Sequence, residues 1–141
     1  MEKKQRTLNN KGFSLIELIV VIAIMAILVG VLAPQFIKYV ESSRQSTDIQ
    51  NAAAIRSAVE VGVTNGDITE NVTVAIASNK ITVTNADAGL TAAGLPKSID
   101  CKSSGWNDGT IGEYSVSTYT WKPTANTNKN APSRDISSAF K

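Results

Sequence analysis

The sequence predicts an α+β fold, with one long N-terminal helix and a small antiparallel sheet packed on its second half. Three observations predict it. The run Phe13–Ala33 holds 18 apolar residues in 21. The stretch Gln35–Thr64, free of proline, follows it and ends at Asn65-Gly66. Beyond that point the pattern changes to period two: Val72, Val74 and Ile76, then Ile81 and Val83, alternate with smaller or polar residues.

Composition limits the chemistry. At 141 residues there is room for one domain and hardly two. Without histidine there is no imidazole base, no histidine metal ligand and no Ser-His-Asp triad. One cysteine allows neither an intrachain disulfide nor a CxxC zinc or redox site. No cofactor and no metal are expected, and the chain does not read as an enzyme.

Four segments follow in order. Residues 1–12 are short and polar, with Lys3, Lys4, Arg6 and Lys11 against Glu2, a net +3 that leaves the remaining residues at −1. No Lys/Arg cluster on the body points to a specific nucleic-acid site.

Residues 13–34 form the second segment. As a helix, Phe13–Ala33 is about 32 Å long, enough for a ~30 Å hydrocarbon core. The cationic leader favours a cytoplasmic N-terminus and an exported remainder. A cleaved secretory signal is the competing reading. The apolar run exceeds the usual h-region, and the exit Val31-Leu32-Ala33 is followed by Pro34, which would put an imide at the scissile bond.

Residues 35–65 continue the helix as its exported half. Val40, Ile55, Ala58, Val59, Gly62 and Val63 are expected on one face, with Glu41, Arg44, Gln45, Asp48 and Arg56 on others. Ala52, Ala53 and Ala54 allow close backbone approach. Asn65-Gly66 supplies the stop, Gly66 taking the left-handed position. A continuous helix over Phe13–Thr64 has 52 residues, a rod suited to side-by-side packing.

Residues 66–141 form a small β-rich head that the helix completes. A hairpin is expected over Val72–Val83 with its turn at Ser78-Asn79-Lys80, and a helical turn over Asp87–Gly94. Gly105–Gly109 is a turn cluster, Tyr114–Trp121 one further strand, and Lys122–Ser138 irregular surface, with Phe140 pinning the end. Trp106, Tyr114, Tyr119 and Trp121 read as core or sheet-face residues.

Gly12-Phe13-Ser14-Leu15-Ile16-Glu17 is the most informative stretch. A lone carboxylate near the start of an apolar helix costs a few kcal/mol if it sits unpaired in lipid. Glu17 either favours the helix N-terminus through the macrodipole, or neutralises an α-ammonium created by a cut before Phe13. Pro34 cannot donate to the carbonyl of Gly30, and Gly30 is itself a poor helix residue, so both defects fall on one turn.

With Lys11-Gly12, Phe13-Ser14-Leu15-Ile16-Glu17-Leu18, the Ile/Val/Ala run and Pro34, residues 11–35 resemble the type IV pilin and pseudopilin family. The resemblance implies that a membrane-embedded prepilin peptidase cuts between Gly12 and Phe13 and N-methylates Phe13. It also implies that Glu17, fifth in the mature chain, pairs with a neighbouring subunit's terminal amine during assembly. On this view Gly30 and Pro34 mark a turn that bends or melts in the filament.

The implied function is a structural subunit of a type IV pilus, serving adhesion, motility or DNA uptake. The partners would be prepilin peptidase, other copies, minor pilins, the cytoplasmic membrane and the pilus assembly machinery. The chain would be a single-pass membrane protein first and part of an extracellular filament afterwards. A pseudopilin of a type II secretion or competence system has a similar N-terminus, and a membrane-anchored binding module is the alternative of another class. Many Gram-negative pilins close a C-terminal loop with a disulfide, and Cys101 has no partner for one. Cys101 is expected to be a buried small residue.

Two further motifs are weak. Asn71-Val72-Thr73 fits a glycosylation sequon but falls in an expected strand. Asp100, Asp108 and Glu113 lack EF-hand-like spacing and read as solvated acids.

Overall fold

The computed structural model describes residues 12–141; residues 1–11, with the leader's Lys3, Lys4, Arg6 and Lys11, lie outside the described residues. The chain divides into two compact units, Met1–Lys38 and Tyr39–Lys141. Helix α1 (Leu15–Thr64) belongs to both and contains Pro34. The missing donor to the Gly30 carbonyl therefore does not end the helix.

In the first unit the large apolar side chains from Phe13 to Ile37 are all exposed. A helix apolar on every side has no polar face to offer water. Its length and composition suffice to cross a membrane.

In the second unit α1 buries Gln45, Asp48, Ala52, Ile55, Ala58, Val59, Gly62 and Val63. Spacings of three and four put them on one face. The expected stripe is correct from Ile55 onward, whereas Val40 is only half-buried. Gln45 and Asp48, expected on other faces, belong to the buried one. Asp48 stands seven residues before Ile55, two helical turns away, so it shares that face whatever its polarity.

The helix ends as expected. Gly66 has φ 82°, its N–H donates to the Val63 carbonyl at 3.0 Å, and the Asp67 N–H donates to that of Gly62 at 2.9 Å. This is a Schellman stop. Helix α2 (Asp87–Ala92) occupies the expected helical turn. A Cβ on Gly62 would lie 2.9 Å from the Cα of Gly89, so the two helices meet backbone to backbone.

The sheet begins with the expected hairpin, β1 (Val72–Ala77) and β2 (Lys80–Thr84), with Ala77 opposite Lys80. Ser78 and Asn79 have φ 50° and 61°, the left-handed pair that matches strand twist in a two-residue turn. With β3 (Ser98–Asp100), β4 (Gly109–Ser115) and β5 (Thr120–Pro123) the antiparallel order is β3-β2-β1-β4-β5. Val72, Val74, Ile76, Ile81 and Ile111 join Ala52, Ile55, Val59, Leu90 and Ile136 in one core. The sheet thus packs on the helix.

Two expectations for the C-terminal part fail. Tyr114–Trp121 is not one strand: β4 ends at Ser115 and β5 starts at Thr120, with Tyr114 directly opposite Trp121. The intervening turn has no Gly, Pro or Asn to announce it. Hydroxyl pairs there, Ser115 with Ser117 at 2.9 Å and Thr118 with Thr120 at 2.7 Å, supply local bonds. Tyr119 takes φ 55° and is exposed, so it is not a core residue.

The stretch after Lys122 is not irregular throughout. Strands β6 (Thr127–Asn128) and β7 (Ala131–Asp135) pair, and a 3₁₀ turn follows over Ile136–Phe140. Asp135 caps that turn, accepting the N–H groups of Ser137 at 3.0 Å and Asn126 at 2.9 Å. Asn126 Nδ2 in turn donates to the Asn107 carbonyl at 2.7 Å. Phe140, buried as expected, packs against Trp121 with ring centroids 4.7 Å apart.

Candidate assembly site at the helix N-terminus

The apolar unit carries every residue singled out for processing or assembly. Gly12 and Phe13 precede the first helical turn and are exposed, Phe13 at 92 %. An exposed peptide bond outside regular structure is the kind a protease reaches.

Ser14 immediately precedes α1, which makes Glu17 the third helical residue. The Ser14 N–H donates to Glu17 Oε2 at 2.7 Å. This is the returning half of a capping box, in which an acid at that position satisfies the N-cap amide. It also sets the carboxylate at the positive end of the helix dipole. The Glu17 carboxylate is therefore folded back over the backbone joining Ser14 to Phe13. Gly30 and Pro34 lie elsewhere, Gly30 13 residues beyond Glu17 along the same helix, about 20 Å by helical rise. The structure brings Glu17 to the N-terminal residues and leaves the Gly30–Pro34 turn separate.

The feature that sequence reasoning missed is in the head. Asp48 is fully buried and accepts three donors: the Lys102 N–H at 2.7 Å, the Ser103 N–H at 2.9 Å and Trp106 Nε1–H at 2.8 Å. A buried carboxylate is tolerated where its lone pairs are filled in this way. Glu41, two helical turns before Asp48 on the same face, accepts the Ser103 hydroxyl. Asn128 Nδ2 reaches that same hydroxyl at 2.9 Å. Helix, Cys101–Gly109 loop and β6 are thereby joined through side chains. The signal was present as an acid at helical spacing from Ala52 and Ile55.

Cys101 is buried in this region. Burial pushes its thiol up to about 12, with the Asp48 charge adding to the effect, the Ile81 backbone N–H opposing it and the Asp100 charge adding a little. The remaining acids do not gather. Asp100 pairs with Lys80 at 3.4 Å, and among the described residues no three of His, Cys, Asp and Glu form a group able to hold a metal ion. Asn71 of the sequon is engaged too, its Oδ1 accepting the Val116 N–H at 3.0 Å.

Residues 7–33 match the prokaryotic N-terminal methylation motif. The chain is 39 % identical over 88 residues to prepilin peptidase-dependent protein A of Clostridium perfringens, covering 62 % of this chain and 59 % of that protein. It is 43 % identical over 51 residues to the type IV narrow pilus major component PilA5 of Thermus thermophilus, covering 36 % of this chain and 44 % of the other. Against type IV major fimbrial protein FimA of Dichelobacter nodosus the identity is 39 % over 56 residues, 40 % of this chain and 36 % of that one. The chain thus spans about three fifths of the first relative and under half of the other two. No solved structure matches it. The chain is similar to these prepilin-peptidase-dependent and type IV pilus proteins in its methylation motif and in the exposed apolar helix behind it.

Proposed function

We propose that this chain is a prepilin whose processed form is a structural subunit of a type IV pilus. The observation that carries the reading is the coincidence in one helix of an exposed apolar surface and a carboxylate whose partner among the described residues is the uncharged Ser14 N–H. The large apolar residues from Phe13 to Ile37 are exposed and lack a covering partner among the described residues. Glu17 is a charged group at their start. Lipid covers the first before assembly; packing against other copies covers it afterwards, and the α-ammonium of a processed neighbour pairs with the second. Charge pairing and apolar burial then favour the same assembled state.

In this reading prepilin peptidase cuts between Gly12 and Phe13 and methylates Phe13, and the chain starts as a single-pass cytoplasmic membrane protein. Other copies, minor pilins and the assembly machinery then draw it into an extracellular filament. The Gly30–Pro34 turn is the place where the helix yields as it packs, because it has one backbone bond fewer. The relatives named as major pilins favour a pilus over a secretion pseudopilin. Intact-mass and N-terminal peptide analysis of the protein from its native cell tests the reading. The expected product starts at N-methyl-Phe13; a terminus at Pro34, or a retained Met1, would sink it.

A further inference from the structure

The face of the sheet turned away from the core carries a polar groove. Val72, Tyr114 and Trp121 stand opposite one another across β1, β4 and β5, and all three pack into the core. Side chains alternate along a strand, so the residues flanking each of them point the other way. Two cross-strand rows result. Thr73, Glu113 and Lys122 form one, and Ser115 and Thr120 continue to Asn71 in the other. Asn71 precedes β1 and is tied to β4 by the Val116 N–H, which donates to its Oδ1 at 3.0 Å. The six line a groove of about 460 Å³, a size common among small-molecule sites. A register shift between Val74 and Ala75, where β1 pairs with β4, adds bend and twist beside it.

The charged groups in this groove are uncommitted. Opposite charges directly across two strands ordinarily attract and pair. Lys80 and Asp100, so placed on β2 and β3, do close to 3.4 Å. Glu113 and Lys122 are placed in the same way, yet among the described residues neither makes an ion pair within 4.0 Å. Both are exposed. The Val116 bond fills Asn71 Oδ1 and leaves Nδ2 as that amide's free donor.

The lining selects the chemistry of a ligand. One carboxylate and one ammonium cancel, so neither an anion nor a cation is favoured. The six side chains are hydroxyl, amide or charged, which offers nothing to a lipid or an aromatic ring. A sugar hydroxyl both donates and accepts, and hydrogen bonds to charged groups are the stronger ones. We infer that the groove binds a neutral saccharide, whose hydroxyls donate to Glu113 and accept from Lys122 and Asn71 Nδ2. The site is independent of the pilus reading, since all six residues belong to the unit Tyr39–Lys141.

Saturation-transfer NMR of the full chain, held in a detergent without a sugar head group, tests this with maltotriose, chitotriose and lactose. At least one should receive saturation, and its titration gives a Kd. Glu113→Gln and Lys122→Gln should each raise that Kd by about five- to ten-fold, as a charge-assisted bond becomes a neutral one. Thr84→Ala lies opposite Thr73 in the same row but outside the groove, and should leave the Kd unchanged. Sialyllactose, which adds a carboxylate, should bind no more tightly than lactose. Transfer to none of the three sugars overturns the inference, as does an unchanged Kd in either Gln variant. Tighter binding of sialyllactose, lost in Lys122→Gln, would make this an anion site and overturn the neutral assignment. If the face instead meets a second copy, Glu113→Gln weakens self-association while no sugar binds, and the inference fails. None of these results bears on cleavage before Phe13, so the pilus reading stands or falls separately.

Discussion

Asp48 holds Trp106: the indole Nε1–H donates to Asp48 Oδ2 at 2.8 Å, across 58 residues of sequence. The same carboxylate takes the Lys102 and Ser103 N–H groups. One helical acid thus fixes a loop that has no regular structure of its own. Removing it leaves three donors unpaired, those of Ser103 and Trp106 buried. Asp48→Ala should destabilise the head by about 3 kcal/mol or more, and Asp48→Asn by less, since one acceptor oxygen remains. Urea unfolding followed by Trp106 fluorescence measures both, and near-equal stability would remove the carboxylate from its anchoring role.

Glu17 has a partner within the chain, the Ser14 N–H. Loss of that bond should cost only a few tenths to about 1 kcal/mol of local helix stability. Loss of a charge-assisted pair between subunits is a larger effect. Glu17→Ala should leave cleavage and membrane insertion intact while lowering filament yield about ten-fold or more. Normal yield of sheared filaments would leave Glu17 with its capping role alone.

The Cys101 thiol, with its pKa raised from 9.0 to about 12 by burial, stays protonated in the folded head. The unfolded chain ionises it near 9.0. Its contribution to stability is therefore complete below pH 9 and fades as pH rises toward 12. Burial also raises the Tyr114 hydroxyl, with the Glu60 charge adding, in the same direction. Thermal unfolding should be unchanged by reductant at neutral pH. Iodoacetamide should label Cys101 at the rate of unfolding, and fast labelling of the native protein would contradict its burial.

Asp135 behaves in the opposite sense. Burial alone would raise its carboxyl, but the Asn126 N–H, the hydroxyl and N–H of Ser137 and the Lys141 charge outweigh that and lower it below 3.8. The stability it supplies is present above pH 3.8 and is lost as pH falls through the lowered value. Asp135→Asn should flatten the acid limb of the stability profile and loosen the Ile136–Phe140 turn. An unaltered profile would show that other carboxylates set the acid limit.

A fragment starting at Lys38 should be soluble, folded and monomeric, because Tyr39–Lys141 is a compact unit that retains the core. A fragment starting at Ile55 loses Asp48 and Ala52 and should unfold much more readily. Circular dichroism and sedimentation of the two compare them directly. Equal cooperativity would mean that the sheet does not depend on the helix.

Gly12, Phe13, Glu17 and the apolar run are legible in one dimension because their chemistry is local. A charge beside an apolar stretch and a glycine before a phenylalanine mean the same at any tertiary arrangement. The Ser78-Asn79 turn and the Gly66 stop were equally readable, since backbone geometry there depends on adjacent residues alone. Tertiary structure decided the rest. Asp48 looked like a solvent-facing residue, and the bonds it accepts from Lys102, Ser103 and Trp106 are what make it interior. The Ser115–Thr120 turn has no turn-forming residue and exists because Tyr114 and Trp121 pair across it, 5.1 Å between ring centroids. Strands β6 and β7 are short and polar, with no apolar period to reveal them. They are ordered by bonds from Asn126, Asn128 and Asp135 to residues distant in sequence, and such bonds leave no periodic trace in the chain.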